Sequence, residues 1–299
     1  MHYTTKSNIL HVSHPLPDDK WRVAKLWQEV FDDSPEFIDL FFSRVYKPEN
    51  TFVIRREQEI ISSLQVVPYD FKIDDETVPS AYICGVCTAS SERGRGLMKM
   101  LMNEALEELK KRGYPLAVVI PAERSLFNLY KRFGFEYPVY QRFHVYNSYD
   151  LTMRMNSVIS CTFEPCTIEH FPCFDRLQHK RKRILIHNEY DFETILQDFM
   201  LDGGYPFVAI RNNNPTGIAF AKRISNKKAI IKDIFSDNRP VYNLLCKHTF
   251  KFFGVSEVRV RRNITCMWNQ VDSNLYGLIC KLDNEKINLN FLNMSLMLD

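Results

Sequence analysis

A loop with two glycines and two arginines could bind an anion, and it opens directly into a helix. The loop is Arg93-Gly94-Arg95-Gly96-Leu97-Met98, and apolar residues recur at helical spacing after it. The first turn of a helix leaves backbone N–H groups without partners at the positive end of the helix dipole. Glycines let a ligand approach the backbone closely. This stretch therefore predicts a phosphate-binding site, with an ordinary glycine-rich turn as the alternative.

Two strands and one helix must hold this loop in place. A strand over Ala81–Thr88 leads into the loop. The helix after the loop has one apolar face, made of Met98, Leu101, Met102, Ala105 and Leu109. Gly113 ends this helix, and the apolar run Leu116–Ile120 is typical of a strand buried on both faces. A right-handed crossover would make the two strands parallel.

The rest of the first half supplies further elements of one α/β unit. Helical spacing runs from Pro17 to about Tyr46 and is interrupted at Asp33-Ser34-Pro35, where the serine can cap a second helix. The predicted strands are Thr51–Arg55, Ile60–Val67, Asp70–Ile73 and Gln141–Tyr146, and a short helix is predicted over Ser125–Phe133.

Composition and charge narrow the class of protein. The chain has 299 residues, 45% of them hydrophobic and 25% charged, which is enough for two globular domains. The net charge of +3 gives no strong case for nucleic acid or for a membrane surface. No apolar run is long enough for a signal peptide or a membrane span, so we expect a cytoplasmic protein with reduced cysteines.

One cysteine cluster could in principle bind zinc. Cys161, Cys166, His170 and Cys173 lie close together in the sequence, but the usual CxxC spacing is absent. Cys161 also falls in an apparent strand, Val158–Thr162, where a free cysteine packs as a small apolar residue. We therefore expect no metal site.

Two motifs in the right order resemble the GNAT superfamily of acyl-CoA-dependent N-acyltransferases. The loop Arg93–Met98 matches the Arg/Gln-x-x-Gly-x-Gly/Ala motif of that family except at Met98, where the family has a small residue. The block Asn128-Leu129-Tyr130-Lys131-Arg132-Phe133-Gly134-Phe135 resembles its Tyr-x-x-x-Gly-Phe motif. The resemblance covers roughly residues 17 to 147.

The resemblance implies a role for each matching position. Backbone N–H groups of Arg93, Gly94, Arg95, Gly96, Leu97 and Met98 would bind the pyrophosphate of acetyl-CoA. Main-chain groups of Val86, Cys87 and Thr88 would pair with the pantetheine arm like an added strand. Tyr130 would act as the general acid that protonates the CoA thiolate, a role that an oriented phenol can perform. The alternative is that Tyr130 is a core aromatic residue on an apolar helix face.

The second half repeats the order of elements of the first. It predicts helical structure over Ile184–Met200, a hairpin of Phe207–Arg211 and Gly217–Lys222, and then strand, helix and strand over Ala229–Phe235, Val241–Phe253 and Glu257–Arg261. Its loop, Asp237-Asn238-Arg239-Pro240, has no glycine, its proline lacks an N–H, and its aspartate would repel a phosphate.

The expected fold is therefore a tandem α/β GNAT fold with a mixed sheet, similar to Eis-type acetyltransferases. Residues 1–150 would form the acetyl-CoA-binding catalytic domain. Residues 155–299 would form a degenerate GNAT-like domain with an apolar C-terminal tail.

The group that deprotonates the amine stays open. The strand Ala81–Thr88 has no glutamate, where many GNAT enzymes carry a base. In Eis-type enzymes the terminal carboxylate reaches the active site, which would give Asp299 this role. A water chain and His144 are further candidates, and the tail could instead pack as a helix with Asp299 exposed.

The resemblance implies transfer of acetyl from acetyl-CoA to an amine of a small molecule or peptide. A longer acyl or aminoacyl donor and a regulator that binds acyl-CoA without chemistry are the alternatives. No motif identifies the acceptor or an oligomeric state.

Overall fold

The computed structural model describes residues 10–147, 149, 159–262, 274–283 and 286–298. The strands are β1 (Val12–Ser13), β2 (Thr51–Arg56), β3 (Glu59–Ile73), β4 (Glu76–Thr88), β5 (Leu116–Val119), β6 (Tyr137–Asn147), β7 (Thr162–Pro165), β8 (Arg183–Ile186), β9 (Gly204–Arg211), β10 (Asn214–Arg223), β11 (Lys228–Ser236), β12 (Glu257–Arg262) and β13 (Asn274–Lys281). The helices are α1 (Lys20–Val30), α2 (Pro35–Leu40), α3 (Leu97–Lys111), α4 (Arg124–Lys131), α5 (Phe171–Gln178), α6 (Glu189–Leu201) and α7 (Arg239–Phe253). Within these residues no helix is long and apolar enough to cross a bilayer.

The chain packs into two compact units, and each unit draws on separated stretches of the sequence. The first comprises Met1–Pro68, Pro79–Glu136 and Leu278–Lys286, and the second comprises Tyr69–Val78, Tyr137–Gly277 and Ile287–Asp299. This division follows packing alone. The assignment of 1–150 and 155–299 as a catalytic and a degenerate domain stays a prediction.

A mixed sheet with the strand order β1-β2-β3-β4-β5-β13 forms the first unit. β2 pairs antiparallel with β1 and β3, and β13 pairs antiparallel with β5. β4 and β5 run parallel and pair from Ser80–Leu116 to Ile83–Val119. Because α3 connects these two strands, the predicted strand-helix-strand crossover is confirmed.

The helices of the first unit bury the faces that their sequence patterns predict. The apolar residues Leu101, Met102, Ala105 and Leu109 of α3 are buried in one cluster with sheet residues such as Phe52. The side chain of Ser34 accepts a hydrogen bond from the Phe37 N–H at 3.1 Å and caps α2, as expected. A π-helical turn, Phe41–Val45, continues this helix. These contacts stabilise the packing of the helices on the sheet that contains β4.

In the second unit the strand order is β6-β12-β11-β10-β9-β7. β9 and β10 form the predicted antiparallel hairpin. β11 and β12 pair in parallel from Lys228–Glu257 to Ile231–Val260, with α7 between them in sequence. The predicted order of strand, helix and strand is therefore present here as well.

Two predictions about elements of the second half are wrong. Helical structure was expected from Ile184, but Arg183–Ile186 forms β8, which pairs antiparallel with Asp70–Ile73. Sequence alone could not show this because an apolar run of four residues fits a strand or a buried helix equally well. Cys161 precedes β7, which begins at Thr162, rather than lying in a strand.

The described part of the C-terminal tail packs into the second unit without forming a helix. Met294, Leu296 and Met297 are buried. Asn293 exchanges backbone hydrogen bonds with β8, donating to the Arg183 oxygen at 3.1 Å and accepting from the Leu185 N–H at 3.0 Å. The expectation that an apolar tail docks on the protein therefore holds through residue 298, whereas the helical alternative is wrong for 286–298. Asp299 lies outside the described residues.

Buried polar groups also hold the tail. The Ser295 hydroxyl donates to the carboxylate of Asp233, and Asp233 forms a bidentate ion pair with Arg181 at 2.8 and 3.1 Å. The backbone oxygen of Ser295 lies 2.7 Å from Nε2 of His187. His187 is 1% exposed, and burial lowers its pKa to about 4. The ring is therefore neutral at pH 7, and its Nε2–H donates a hydrogen bond to the backbone oxygen of Ser295 in the tail.

The buried histidine predicts a loss of stability in mild acid. The unfolded chain takes up a proton at His187 near pH 6.5, whereas the folded protein does so only near pH 4. Stability should therefore fall as pH drops through this window, by up to about 3 kcal/mol from this group. Urea unfolding at pH 7, 6 and 5 measures the effect.

Comparison of two variants isolates the contribution of this histidine. His187→Gln should show a smaller loss of stability between pH 6.5 and 4 than the parent. His179→Gln alters a half-exposed histidine and is the control for the substitution itself, so its slope should stay closer to that of the parent than the slope of His187→Gln does. Equal slopes for His187→Gln and the parent would contradict the role of His187.

Candidate active site

The end of β4, a short turn and α3 build the predicted phosphate loop. A 3-10 turn, Ser90–Glu92, follows β4. Gly94 and Gly96 then adopt the left-handed conformation, with φ of 79° and 78°. Glycine takes this conformation at no steric cost, and a Cβ at either position would meet nothing within 4 Å. The first turn of α3 therefore opens onto free space that an anion can enter.

Both arginines of the loop have partners within the protein. Arg95 pairs with Glu92 at 3.3 Å, and Glu92 is buried and also pairs with Arg56. Nε of Arg93 donates to the backbone oxygen of Thr88 at 3.3 Å. Two guanidinium groups thus share one buried carboxylate, and a third binds the backbone of β4. The loop keeps an excess of positive charge, but the two predicted arginines also stabilise its shape.

Met98, the one departure from the family motif, has a packing role. Its side chain is partly buried and packs against the core cluster beneath α3. The residue therefore contributes to the seating of the helix on the sheet. This accounts for a large apolar residue at a position where the family has a small one.

β4 separates from β5 in front of the loop. The two strands pair as far as Ile83–Val119, and β4 continues to Thr88. The predicted pantetheine-binding residues Val86, Cys87 and Thr88 all lie in this continuation. Gly85 has a φ of 55°, which kinks β4 just after the separation. The main chain here can pair with an extended ligand as it would with a strand.

Tyr130 lies on α4 in the core cluster of the same unit. It is 7% exposed, and its ring meets that of Phe135 edge-on at 6.0 Å. Burial raises the pKa of the phenol to about 12, and the neighbouring Cys84 thiol adds to the rise. The phenol is therefore protonated at neutral pH, as a general acid must be. Its low exposure also fits the alternative of a core aromatic residue.

Four other candidate residues belong to the second unit. His144 is on β6 in the second unit, with its ring 4.4 Å from that of Tyr146. Cys166 and Cys173 are buried in an apolar cluster, and His170 lies 3.1 Å from Glu164. Across the described ranges no group of three His, Cys, Asp or Glu side chains could hold a metal ion.

In the second unit the corresponding loop is closed by its own side chains. The Asn238 side chain accepts the Val241 N–H at 3.0 Å, so the first turn of α7 is capped internally. Asp237 pairs with Arg176 and Lys180. Its charge is therefore largely compensated, so internal capping, more than charge, distinguishes this loop from Arg93–Met98.

Residues of the C-terminal tail bind β11 and β12 beyond the point where these two strands stop pairing. These strands pair only as far as Ile231–Val260, as β4 and β5 do at Ile83–Val119. Beyond that point Arg261 of β12 donates to the oxygen of Met294, and Ser295 donates to Asp233 of β11. Tail residues thus bridge the two strand ends in the second unit.

Sequence reasoning missed the residues of β3 that contact β4. Ser62, Ser63 and Gln65 are buried, and each hydrogen-bonds to the part of β4 beyond Ile83. The available signal was three polar residues in an otherwise apolar strand. Trp27 fits the helical apolar pattern of α1, and its ring also lies directly against Gly85.

Comparison with known proteins supports the family resemblance. Residues 13–138 match the family model described as acetyltransferase (GNAT) domain. Over these residues the predicted resemblance to a GNAT domain is therefore confirmed. The match supports acyl-CoA-dependent N-acyl transfer in general. A search of curated proteins finds no match.

Solved structures share the fold over nearly the whole chain. A GCN5-related N-acetyltransferase from Anabaena variabilis is 17% identical, with a TM-score of 0.73 over 92% of this chain and 73% of that one. Eis1 from Mycobacterium abscessus is 11% identical, with a TM-score of 0.67 over 92% and 74%. N-myristoyltransferase from Saccharomyces cerevisiae, solved with myristoyl-CoA, is 12% identical, with a TM-score of 0.56 over 91% and 79%. At these identities the likeness concerns the fold, and it confirms the mixed α/β class.

A charge placed at the start of α3 tests the phosphate loop. Gly96→Glu puts a carboxylate where the pyrophosphate would bind, and like-charge repulsion should weaken CoA binding by about 100-fold. Calorimetric titration with CoA measures this.

Gly113→Glu is the matched control for this substitution. Gly113 follows the other end of α3, with a φ of 81° and nothing within 4 Å of a Cβ. It therefore carries the same backbone strain away from the loop and should bind CoA like the parent. Unchanged affinity in Gly96→Glu would contradict the assignment.

Proposed function

We propose that this protein is an N-acetyltransferase that moves the acetyl group of acetyl-CoA to an amine of a small molecule or peptide. The observation that carries the proposal is one arrangement in the first unit. A glycine loop opens at the start of α3, β4 separates from β5 beside it, and Tyr130 lies in the core of the same unit. The three features together serve acyl transfer, whereas any one of them would also fit a protein without this activity.

The bound CoA would be held mainly by backbone groups. N–H groups of the loop Arg93–Met98 would bind the pyrophosphate, and a Cβ built at Gly94 or Gly96 would meet no atom within 4 Å, which leaves room for an anion beside the backbone. Val86, Cys87 and Thr88 would pair with the pantetheine arm. This directs the thioester into the space beyond Ile83, where β4 has left β5.

The reaction would be a direct attack of the amine on the thioester carbonyl. A bond forms between the amine nitrogen and the acyl carbon, and the bond from that carbon to sulfur breaks. The amine loses one proton, and the sulfur leaves as a thiolate that gains one. Positioning both reactants in one site supplies much of the rate enhancement.

The environment of Tyr130 suits the protonation of this thiolate. A phenol with a pKa of about 12 would give a proton only reluctantly to a thiolate of ordinary basicity, near 8.5. Desolvation, however, raises the pKa of the neighbouring Cys84 thiol to about 12. A CoA thiolate in the same environment would be similarly basic. The donor and acceptor would then be matched, which favours general acid catalysis.

The proton from the amine needs an acceptor, and the proposal keeps the three candidates. They are a water chain, the terminal carboxylate of Asp299 and His144. We also propose that the protein works in the cytoplasm without nucleic acid or membrane partners, in keeping with its small net charge.

Thiol release separates acetyl transfer from its alternatives. Acetyl-CoA and longer acyl-CoA donors are offered with a panel of amines, and free CoA thiol is measured. We expect amine-dependent release with acetyl-CoA as the preferred donor. Preference for a longer chain would correct the donor, and tight CoA binding without release from any amine would instead indicate a regulator.

Removal of the Tyr130 hydroxyl tests its role as the acid. Tyr130→Phe should lower kcat by about 100-fold, in the range of general acid catalysis, with CoA affinity within about twofold of the parent. Tyr46→Phe is the control, because Tyr46 is also 7% exposed with a pKa of about 12 but lies in a different cluster. It should keep the parental kcat. A fully active Tyr130→Phe would assign the proton transfer to another group.

A further inference from the structure

Buried side chains of β3 hydrogen-bond to the separated part of β4. The Ser62 hydroxyl donates to the backbone oxygen of Cys87 at 2.8 Å and lies 2.7 Å from the hydroxyl of Thr88. The Ser63 hydroxyl lies 3.2 Å from the Cys87 sulfur. Both serines are fully buried, so these hydrogen bonds are shielded from water. β3 therefore holds β4 through side chains at the point where β4 has left β5.

Gln65 contributes the most unusual of these contacts. It is 2% exposed, and we assign its amide orientation from its neighbours, so that the nitrogen donates to the backbone oxygens of Gly85 and Cys84 at 3.2 and 3.3 Å. The opposite orientation of the amide would set an oxygen against two oxygens in a buried place, which is unfavourable. The two protons of the amide thus satisfy two consecutive carbonyl groups of β4.

Consecutive carbonyl groups of a regular strand point in opposite directions. Gly85 removes this alternation because its φ of 55° turns one peptide plane over. No other residue fits there, since a Cβ would lie 2.0 Å from the Gln65 amide group and 2.1 Å from the Trp27 ring. Gln65 and Gly85 therefore depend on each other. Gly85 allows both carbonyl groups to point the same way, and Gln65 donates a hydrogen bond to each of them.

The orientation of the carbonyl groups sets that of two N–H groups. In a trans peptide the N–H points opposite to the C=O of the same plane. The oxygens of Cys84 and Gly85 both point to Gln65, so the N–H groups of Gly85 and Val86 both point away from it. Two adjacent N–H groups that point the same way can both donate a hydrogen bond to one oxygen atom on which negative charge develops.

We propose that Gln65 is a positioning residue for acyl transfer, which holds the N–H groups of Gly85 and Val86 ready for the thioester oxygen. This inference rests on the proposed function. In this role Gln65 contacts neither acetyl-CoA nor the amine. It acts through the two peptide planes whose carbonyl groups it binds. Its loss should therefore affect the step in which charge develops on that oxygen more than the binding of CoA, which has no acyl carbonyl.

Two substitutions of Gln65 test the proposal through kinetics and pH. Gln65→Met keeps the size of the side chain and removes both hydrogen bonds, so kcat should fall by about 100-fold. The affinity for CoA should change by less than about threefold. Gln65→Glu cannot donate when ionised, but a protonated acid can donate one hydrogen bond. Burial raises the pKa of such a carboxyl group.

The pH dependence is the readout that a merely structural role would not change. The ratio of parental to Gln65→Glu kcat should shrink as the pH is lowered from 9 to 6, whereas the ratio for Gln65→Met should stay constant. Thr249→Val is the control for lost stability, because it removes a buried hydrogen bond of 3.0 Å to the Leu245 oxygen in the second unit. It should keep the parental kcat at each pH.

The outcomes separate this proposal from the proposed function. A parent that releases no thiol with any donor and amine overturns both. An active parent with kcat of Gln65→Met within threefold overturns the role of Gln65 alone. So does a loss that appears equally in CoA affinity, or a constant ratio for Gln65→Glu. If Gln65→Met does not fold, the pH series of Gln65→Glu still decides.

Discussion

The separation of β4 from β5 is the constraint on which the candidate site depends. Pairing ends at Ile83–Val119, and beyond it the backbone polar groups of β4 must find other partners. On one side, buried side chains of β3 satisfy the carbonyl groups. The other side is where we propose that the pantetheine arm of CoA pairs with β4. Gly94 and Gly96, both left-handed, then lead the chain from the end of β4 into the start of α3.

In the second unit, the corresponding strand ends and helix start hydrogen-bond to other groups of the same chain. β11 and β12 also stop pairing early, but Arg261 and Asp233 from the two strands hydrogen-bond to Met294 and Ser295 of the tail. Asn238 caps the helix that follows. Polar groups that would be costly without partners are therefore paired within the chain.

Charge alone was a poor guide to either loop. Arg95 is paired with Glu92, and Asp237 is paired with Arg176 and Lys180, so neither acts as an isolated charge. What distinguishes the two loops is the backbone. Glycines leave open space at one helix start, whereas a capping asparagine and a proline close the other. Affinity for a phosphate in this fold depends on N–H groups that are exposed and aligned, with side-chain charge as a supplement.

The amino-acid sequence by itself determined the features encoded by local pattern. These are the crossover around α3, the glycine loop, Tyr130 on its short helix and the repeated order of elements, because periodicity, capping residues and motifs act over a few residues. The tertiary structure alone decided which polar groups meet. Gln65 meets the peptide planes around Gly85, and Ser295 meets Asp233 although 62 positions separate them. It also decided that Arg183–Ile186 is a strand, because its antiparallel partner, Asp70–Ile73, lies more than a hundred residues earlier. Such contacts follow from how the sheets assemble, and no short stretch of sequence carries that information.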